Sequence, residues 1–394
     1  MNEKLLSVPV GEHPFPDENS SASAHSNADF DLHGFVGIRC IDATPKDVAI
    51  VVRQLGPIGM PLDREPDIVI RFVDRIHSSS PMRFLDLNDA AFTDDAFFIL
   101  KGKHKSRTKV QIPFDTIGKR CEIICERGLA AVPELIAIVN QTALAKGLLP
   151  LHASAFNYEG VGVLATGWAK GGKTETLLAF MANGADYVGD EWVYLDAGGK
   201  RMLGIPEPIR IWDWHLDHLP NYRAKLSTKK RLVLGLLNVL AKGMSWLAGS
   251  ATGQASALKK FLIRALPLIR KQLYVNWAPE EIFGKSSVTL AGMPDRIIFV
   301  ASHESDEITV EPIDSAEVAR RMIFSLQDER DDLVAYYRKF RFAFPDRPND
   351  LIDGADEVQR EMLDRAFEGK KAYVVHHPYP VEIPLLFEAI RKLL

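Results

Sequence analysis

Eight residues near the middle of the chain have the types and spacing of a phosphate-binding loop. They read GWAKGGKT, in which Gly167 is followed, after four residues, by Gly172, Lys173 and Thr174. Glycine permits positive φ and lets the backbone approach an anion closely, and the first amides of a following helix favour negative charge. In this interpretation Lys173 reaches the β and γ phosphates of a nucleotide, and the hydroxyl of Thr174 binds Mg²⁺.

The sequence on both sides of the loop supports this interpretation. The preceding VGVLAT predicts a strand, and KTETLLAFMA predicts a helix that stops at Gly184. The motif requires this order of strand, loop and helix. A chance glycine-rich turn is the structural alternative. We predict that ATP is bound by these residues: Gly167, Trp168, Ala169, Lys170, Gly171, Gly172, Lys173, Thr174 and Glu175.

Two adjacent acids follow the next predicted strand. Asp190 and Glu191 come 17 and 18 residues after Lys173, directly after a strand predicted for residues 185–188. A carboxylate beside a phosphate loop can bind Mg²⁺ or accept the proton of an attacking hydroxyl. A solvated acidic turn is the structural alternative. We predict a functional role for both residues.

Three further polar residues are candidates for the same site. Arg210 and Glu207 lie in LGIPEPIRIW, where Arg210 could neutralise phosphate oxygens and Glu207 could add a metal ligand. A structural ion pair or a surface charge is the alternative for both. His152 lies on a strand predicted for 151–156, which forms a hairpin with 162–166 around the turn NYEG. A lone histidine is often structural, and that alternative stays open.

The segment from LHASAF through GVGVLATGWAKGGKTETLLAFMANGADYVGDE resembles the catalytic core of HPr kinase/phosphorylase and its wider relatives. That group shares a P-loop fold with ATP-dependent phosphoenolpyruvate carboxykinase. The resemblance covers residues 151–196, about an eighth of the chain. It implies that Lys173 and Thr174 bind ATP and Mg²⁺, that Asp190 is the general base, and that His152 lies near the phosphates.

The departures from this family limit what the resemblance implies. The second acid is Glu191 where the family has Asp, and GIPEPIRI stands in place of a Leu-Glu-x-Arg-Gly-x-Gly signature. The ATP site is therefore implied, whereas HPr as the substrate is not. Carboxykinase activity is disfavoured as well, because that enzyme's metal and oxaloacetate ligands have no counterpart in this sequence.

The elements around the motif predict an α/β (α+β) chain with a phosphoenolpyruvate carboxykinase-like P-loop core. Residues 1–29 are predicted as a disordered tail. Short β-branched and aromatic runs (FVGIRCI, DIVIRFV, AFFILKG, KVQIPF and CEIIC) predict a sheet-rich N-terminal domain over 30–130. A helix over 130–147 leads into a catalytic domain over 131–394. In AYVVHHPYP, His376 and His377 alternate on a strand and are predicted to be structural.

One long segment is basic and free of acids. Residues 218–279 contain eleven Lys and Arg residues and no Asp or Glu. KKRLVLGLLNVLAKGMSWLAG and SALKKFLIRALPLIRKQL predict two amphipathic helices. One interpretation is a helical insertion with a solvated basic face. The other is a surface for an anionic partner or a membrane interface.

Composition bounds the remaining choices. The 394 residues carry a formal net charge of −4 and show no aromatic-basic pattern, which disfavours nucleic acid as a partner. Cys40, Cys121 and Cys125 cannot form a disulfide framework, so we expect buried thiols in a reducing compartment. We find no signal peptide and no apolar run of membrane-spanning length, and we therefore predict a cytoplasmic protein.

These observations predict an ATP-dependent kinase that phosphorylates a hydroxyl. The acceptor would be a Ser or Thr of a protein or peptide, or a small polyol. A nucleotide-gated binding module without phosphoryl transfer is the alternative, and an assembly factor bound to membranes through residues 218–279 is a third hypothesis. The resemblance also implies a homo-oligomer.

Overall fold

The computed structural model describes residues 26–86, 89–101, 108–250 and 257–394. Within these ranges the chain is a mixed α/β structure, which confirms the predicted class. Residues 1–25 of the predicted tail lie outside the described residues. Residues 26–29 do not form a tail, because they belong to the first strand and pair with the second.

The N-terminal part forms one sheet around its own hydrophobic core. In space the strands run β1-β2-β3-β8-β7-β6-β5-β4, with β2, β3 and β8 parallel. The five runs predicted as strands correspond to β2, β3, β6, β7 and β8. The elements are β1 (Ser26–Leu32), β2 (Val36–Ala43), α1 (Pro45–Leu55), β3 (Ile68–Val73), β4 (Arg83–Leu85), β5 (Ala90–Phe92), β6 (Phe97–Lys101), β7 (Thr108–Gln111) and β8 (Cys121–Glu126).

The following part of the chain forms the second sheet and the helical insertion. The predicted hairpin, the loop helix and both insertion helices are all present. The elements are α2 (Leu135–Ala145), β9 (Leu148–Tyr158), β10 (Val161–Thr166), α3 (Lys173–Met181), β11 (Asp186–Gly189), β12 (Trp192–Asp196), β13 (Met202–Gly204), β14 (Ile209–Trp212), α4 (Asp213–His218), α5 (Pro220–Lys225), α6 (Thr228–Ser250) and α7 (Ala257–Arg270).

The C-terminal part completes the second sheet and covers it with helices. Its elements are β15 (Tyr274–Trp277), α8 (Pro279–Phe283), β16 (Ala291–Gly292), β17 (Arg296–Ser302), β18 (Thr309–Ile313), α9 (Ser315–Ala343), α10 (Asp350–Asp353), α11 (Ala355–Phe367), β19 (Lys371–His377) and α12 (Ile383–Ile390). The second sheet runs β16-β13-β12-β9-β10-β17-β19-β18, and β11 also pairs with β9.

The centre of the second sheet is parallel although a hairpin leads into it. β9 and β10 are antiparallel, but β10 pairs in parallel with β17, and β17 in parallel with β19. The carboxyl ends of these three strands therefore meet at one edge of the sheet. Ligands of open α/β sheets bind at this kind of edge, and the glycine loop leaves β10 there.

Helix α9 connects the two sheets. Val318, Met322 and Leu326 in its first half belong to the core of the second sheet. Leu333 and Phe340 in its second half belong to the core of the N-terminal sheet. The predicted boundary at residue 130 lies just after β8, yet the N-terminal core is completed by side chains that come two hundred residues later.

Candidate functional site

The glycine loop is shaped by close contact with the ends of the parallel strands. Gly167 and Gly172 have φ of 149° and 108°, a region that favours glycine. A Cβ at Gly167 would lie 2.3 Å from the carbonyl oxygen of Val300, and one at Gly172 would lie 2.1 Å from Nε2 of His377. Only glycine fits at these two positions, and the loop is held tightly against β17 and β19.

The loop presents several backbone amides that bond to no other group. Among the described residues, no acceptor is found for the amides of Ala169, Lys170, Gly172, Lys173 and Thr174, whereas Gly171 donates to Trp168 within the turn. Lys173 and Thr174 begin α3, so their amides lie at the positive end of the helix dipole. Open amides before and at the start of a helix are the kind of donors that bind phosphate groups.

Lys173 is buried at the base of the loop. It is 5 % exposed, and its Nζ donates to the carbonyl oxygens of Gly167 (3.2 Å) and Trp168 (3.0 Å). Burial lowers the pKa of this ammonium, while the negative charges of Glu191 and Asp190 act in the opposite direction. A phosphate beside the loop would offer Lys173 a better acceptor than two neutral carbonyls.

Asp190 faces the first turn of α3 and is 2 % exposed. Thr174 Oγ1 lies 3.1 Å from its Oδ2, and the hydroxyl of Ser154 donates to its Oδ1. Burial raises the pKa of Asp190 to about 7, and the charge of Glu191 adds to that rise. The structure therefore brings Lys173, Thr174 and Asp190 together, as the sequence predicted.

The acid pair lies at a break between two short strands. β11 and β12 both pair with β9, and residues 190 and 191 interrupt them. Glu191 has a φ of 65°, and its carbonyl accepts from the amide of Ala153. This break turns the two adjacent carboxylates toward the loop, whereas consecutive residues of a regular strand would point to opposite faces.

His152 is held between two carboxylates. Its Nε2 lies 2.9 Å from Oε2 of Glu191, and its Nδ1 bonds to Oε1 of Glu329, which comes from α9. Burial lowers the pKa of His152, but hydrogen bonds to Glu191 and Glu329 outweigh it, so the pKa is raised. The hydrogen bond from His152 is also the main reason that the pKa of Glu191 is lowered.

Glu207 adds a further carboxylate to this region. Its Oε1 is buried and has no hydrogen-bond partner among the described residues. Burial raises its pKa well above the usual value, and the charges of Glu191 and Asp190 raise it further. An enclosed, unpartnered carboxylate oxygen costs stability, and a cation beside it would remove that cost.

Arg210 is exposed at the surface, whereas the side chain of Glu175 is buried. Arg210 is exposed, stacks on Tyr274 at 4.8 Å from the ring centre, and lies near enough to Glu191 to lower the pKa of that residue. Glu175 is 7 % exposed and bonds to Nε2 of His215 at 3.0 Å. The side chain of Glu175 is thus engaged inside the protein, and only its backbone remains available for the predicted nucleotide.

The described residues contain no preformed cluster of metal ligands. Over the described ranges, no group of three or more His, Cys, Asp or Glu side chains has the geometry to hold a metal ion. Thr174, Glu191 and Glu207 were predicted as metal ligands from the sequence; Thr174 begins α3, and Glu207 lies near Glu191 and Asp190. Mg²⁺ usually takes one or two carboxylates and fills its other positions with water and substrate phosphates, so it needs fewer side chains than such a cluster provides.

Comparison with known proteins adds no further information about the site. No protein-family model matches this chain, and no curated protein is significantly similar to it.

Sequence reasoning missed three side chains of the site. Ser154 lies two residues after His152 on β9, and strand alternation alone places it on the same face. Glu329 carries no sequence signal, because it belongs to a charged helix 177 residues away from His152. His377 was predicted to be structural; it is buried, and its Nε2 lies 2.9 Å from the carbonyl of Gly171, directly beneath the loop.

Proposed function

We propose that this protein is an ATP-dependent kinase that transfers the γ-phosphate to a hydroxyl. The acceptor would be a Ser or Thr of a protein or peptide, or a small polyol. One observation supports the proposal most strongly. A buried aspartate, Asp190, lies against Thr174 at the start of α3, next to a loop that combines Lys173 with open amides.

The loop would bind the phosphates of ATP. The open amides of residues 169–174 would donate to phosphate oxygens, and Lys173 would exchange its two carbonyl acceptors for a charged one. The exposed Arg210 lies near Glu191 and would neutralise charge that develops on the transferred group.

Thr174, Glu191 and Glu207 would hold Mg²⁺. The hydroxyl of Thr174 now bonds to Asp190, and the carboxylate of Glu207 has an oxygen without a partner. When bound, the metal ion neutralises negative charge on the phosphate groups. The protein residues would supply hard oxygen ligands, which is the kind that Mg²⁺ prefers.

Asp190 would act as the general base. The acceptor oxygen forms a bond to the γ-phosphorus, the bond from that phosphorus to the β,γ-bridging oxygen breaks, and ADP leaves. The hydroxyl proton passes to the carboxylate of Asp190. A pKa of about 7 gives this carboxylate useful basicity near neutral pH, since efficient bases have a pKa near the working pH. His152 would orient Glu191 through their hydrogen bond.

We further propose a relationship to the HPr kinase-like group with its phosphoenolpyruvate carboxykinase-like fold. The hairpin β9–β10, the loop, α3 and the acids follow in the order that the resemblance implies. The proposal does not extend to HPr as the acceptor. We also propose a cytoplasmic location, which agrees with three cysteines that are free and buried. Within the described ranges, no helix has the length and hydropathy that crossing a bilayer requires.

Nucleotide binding is tested by calorimetry with Mg²⁺ and a non-hydrolysable ATP analogue. The wild-type protein should bind, and Lys173→Ala should weaken binding by about 10- to 100-fold, because a charge-assisted hydrogen bond contributes about 1.5–3 kcal/mol. Lys200→Ala is the matched control, since Lys200 is exposed and lies away from the loop. An absence of binding by the wild-type protein would contradict the proposal.

Phosphoryl transfer is tested separately with γ-labelled ATP and a lysate of the source organism. The wild-type protein should label an acceptor, whereas Asp190→Asn should bind the analogue and lose at least ~100-fold in labelling. Asp186→Asn, on β11 but outside the site, is the control. Analogue binding without any labelled acceptor would instead favour the nucleotide-gated binding module.

A further inference from the structure

The insertion carries an apolar surface that faces solvent. We call this surface the α6 stripe, and its members are between 46 % and 71 % exposed. The α6 stripe consists of Leu232, Val233, Leu236, Val239, Leu240 and Trp246. Spacings of three, four and seven residues place them along one side of the helix over about four turns. Single exposed apolar residues are ordinary, but larger exposed apolar patches mark interaction sites.

The opposite side of α6 is anchored to the body of the protein, which fixes the direction of the stripe. Leu234 and Ala241 are buried in this interface, at 3 % and 6 % exposure. Asn238 donates a hydrogen bond to Asp213, at the start of α4. Because the inner face is occupied, the α6 stripe cannot turn inward without breaking these contacts.

The segment that carries the stripe contains only positive charges. Residues 218–279 carry a formal charge of +11, so the rest of the chain, with a total of −4, carries −15. Part of this basic set is engaged inside the structure. Arg223 pairs with Asp217, Lys225 donates to Ile282, Lys230 lies over the ring of Trp277, and Arg231 donates to Ala224.

The other basic residues remain available to a partner. Lys259 and Lys260 lie outside the residues whose side chains are described. For the other five, no hydrogen bond, ion pair or ring contact of the side chain is found within the described ranges. These five are Lys229, Lys242, Arg264, Arg270 and Lys271.

We propose that the α6 stripe docks the protein on an anionic lipid surface. An amphipathic helix with Lys and Arg beside an apolar face, and with an exposed Trp, is suited to lie in a membrane interface. A second copy of the chain is a poorer occupant, because a symmetric contact would bring the same positive residues together. A folded acidic protein would match the charge, but it would not need an apolar stripe four turns long. This inference is independent of the proposed kinase activity.

The test is sedimentation of the full-length protein with vesicles of neutral phosphatidylcholine alone or mixed with a quarter of phosphatidylglycerol. The wild-type protein should bind the anionic vesicles at least ~10-fold more tightly, since each basic residue near such a surface contributes about 1 kcal/mol. Raising the salt concentration should weaken this binding. Absence of binding at low salt, or equal binding to both vesicles, would overturn the proposal.

Variants distinguish the stripe from a general effect of surface residues. Leu236→Ser with Val239→Ser should reduce vesicle binding at least ~10-fold, and thermal unfolding should show that the protein stays folded. Phe324→Ser with Phe342→Ser is the matched control, because these side chains are equally exposed on α9. If the control pair reduces binding as much as the stripe pair, the stripe is not the docking surface.

Charge variants complete the test. Lys229→Gln, Lys242→Gln and Arg264→Gln together should weaken binding to anionic vesicles about 100-fold. The control with the same change in net charge is Lys119→Gln, Lys371→Gln and Lys392→Gln. Equal loss in both sets would show that only net charge matters, and it would overturn the proposal of a specific docking surface.

Two other results would assign the stripe to another partner and would also overturn the proposal. One is concentration-dependent dimerisation that the stripe variant abolishes, and the other is binding to polyglutamate without binding to vesicles.

Discussion

The carboxylates of the N-terminal part and those of the loop region differ in their ion-pair partners. In the N-terminal part, buried or half-buried aspartates pair with arginines: Asp29 pairs with Arg39 and Asp47 with Arg127. Around the loop, Asp190 and Glu191 lie near one buried lysine, and Glu207 lies near these two acids. Both regions bury carboxylates, but within the described ranges neither Asp190 nor Glu207 forms an ion pair.

The ionised carboxylates of the two regions have opposite effects on the stability of the fold. Hydrogen bonds to Arg39 and Leu62 outweigh desolvation and lower the pKa of Asp29, so its ionised form stabilises the fold. Burial raises the pKa of Asp190 and of Glu207, so their ionised forms oppose folding. Carboxylates that are retained at a cost to stability, beside open amides, are candidates for ligand chemistry.

The largest expected effect in this comparison is that of Asp47→Asn. Asp47 is 3 % exposed, receives a hydrogen bond from Arg127 at 2.6 Å, and accepts from both the amide and the hydroxyl of Thr44 at the start of α1. The variant removes the buried carboxylate from Arg127, a half-buried guanidinium whose other carboxylate partner, Asp74, is exposed. We expect it to lower the free energy of unfolding by about 3 kcal/mol, because breaking a buried pair costs that much. Urea denaturation at pH 7 measures it, and an unchanged midpoint would show that the pairing is unimportant.

The same substitution at Asp190 should have the opposite sign. With nucleotide absent and a chelator present, Asp190→Asn should raise the free energy of unfolding by about 2 kcal/mol at pH 8. The pKa difference of about three units corresponds to about 4 kcal/mol, and the weakened hydrogen bonds from Ser154 and Thr174 offset about half of it. The folded state holds the proton more tightly than the unfolded state, so the cost is absent below pH 4, grows between pH 4 and 7, and is constant above.

Urea denaturation at several pH values checks this prediction. The advantage of the variant should disappear at pH 4 and reach its maximum above pH 7. If the variant is instead less stable than the wild type at pH 8, ionised Asp190 stabilises the fold as Asp29 does. That result would contradict the proposed difference between the two regions.

A smaller effect is expected for Asp29→Asn. Arg39 donates two hydrogen bonds to Asp29, at 2.7 and 3.0 Å, and the pair is partly exposed. We expect a loss of about 1 kcal/mol at pH 7, near the upper end of the range for accessible pairs. The pKa of Asp29 is lowered in the folded state, so its contribution is present above the unfolded pKa and is lost as the pH falls through the folded pKa. The difference between variant and wild type, measured by thermal unfolding, should therefore shrink toward pH 3.

The sequence predicts local elements of this molecule well, but it predicts contacts between residues far apart in the chain poorly. Glycine spacing, the hairpin around NYEG and the helix after the loop follow from local rules, and the structure has all three. The strand break that turns Asp190 and Glu191 to the same side needs a partner strand, so alternation alone could not predict it. Glu329 reaches His152 only because α9 connects two sheets, and that contact depends on the whole fold.

The contact from Glu329 gives the smallest and most specific prediction. Glu329→Gln removes one of the two carboxylates that hold His152, so the pKa of His152 should fall toward or below its usual value. A histidine with a raised pKa stabilises the fold below its unfolded pKa and loses that effect as the pH rises through the folded pKa. We therefore expect a change in stability below ~1 kcal/mol, visible near pH 5 and absent at pH 9. An NMR titration of the imidazole measures the shift directly, with Asp328→Asn as the neighbouring control. An unchanged titration of His152 would mean that Glu329 of α9 does not affect the pKa of His152, and that only residues of the second sheet determine it.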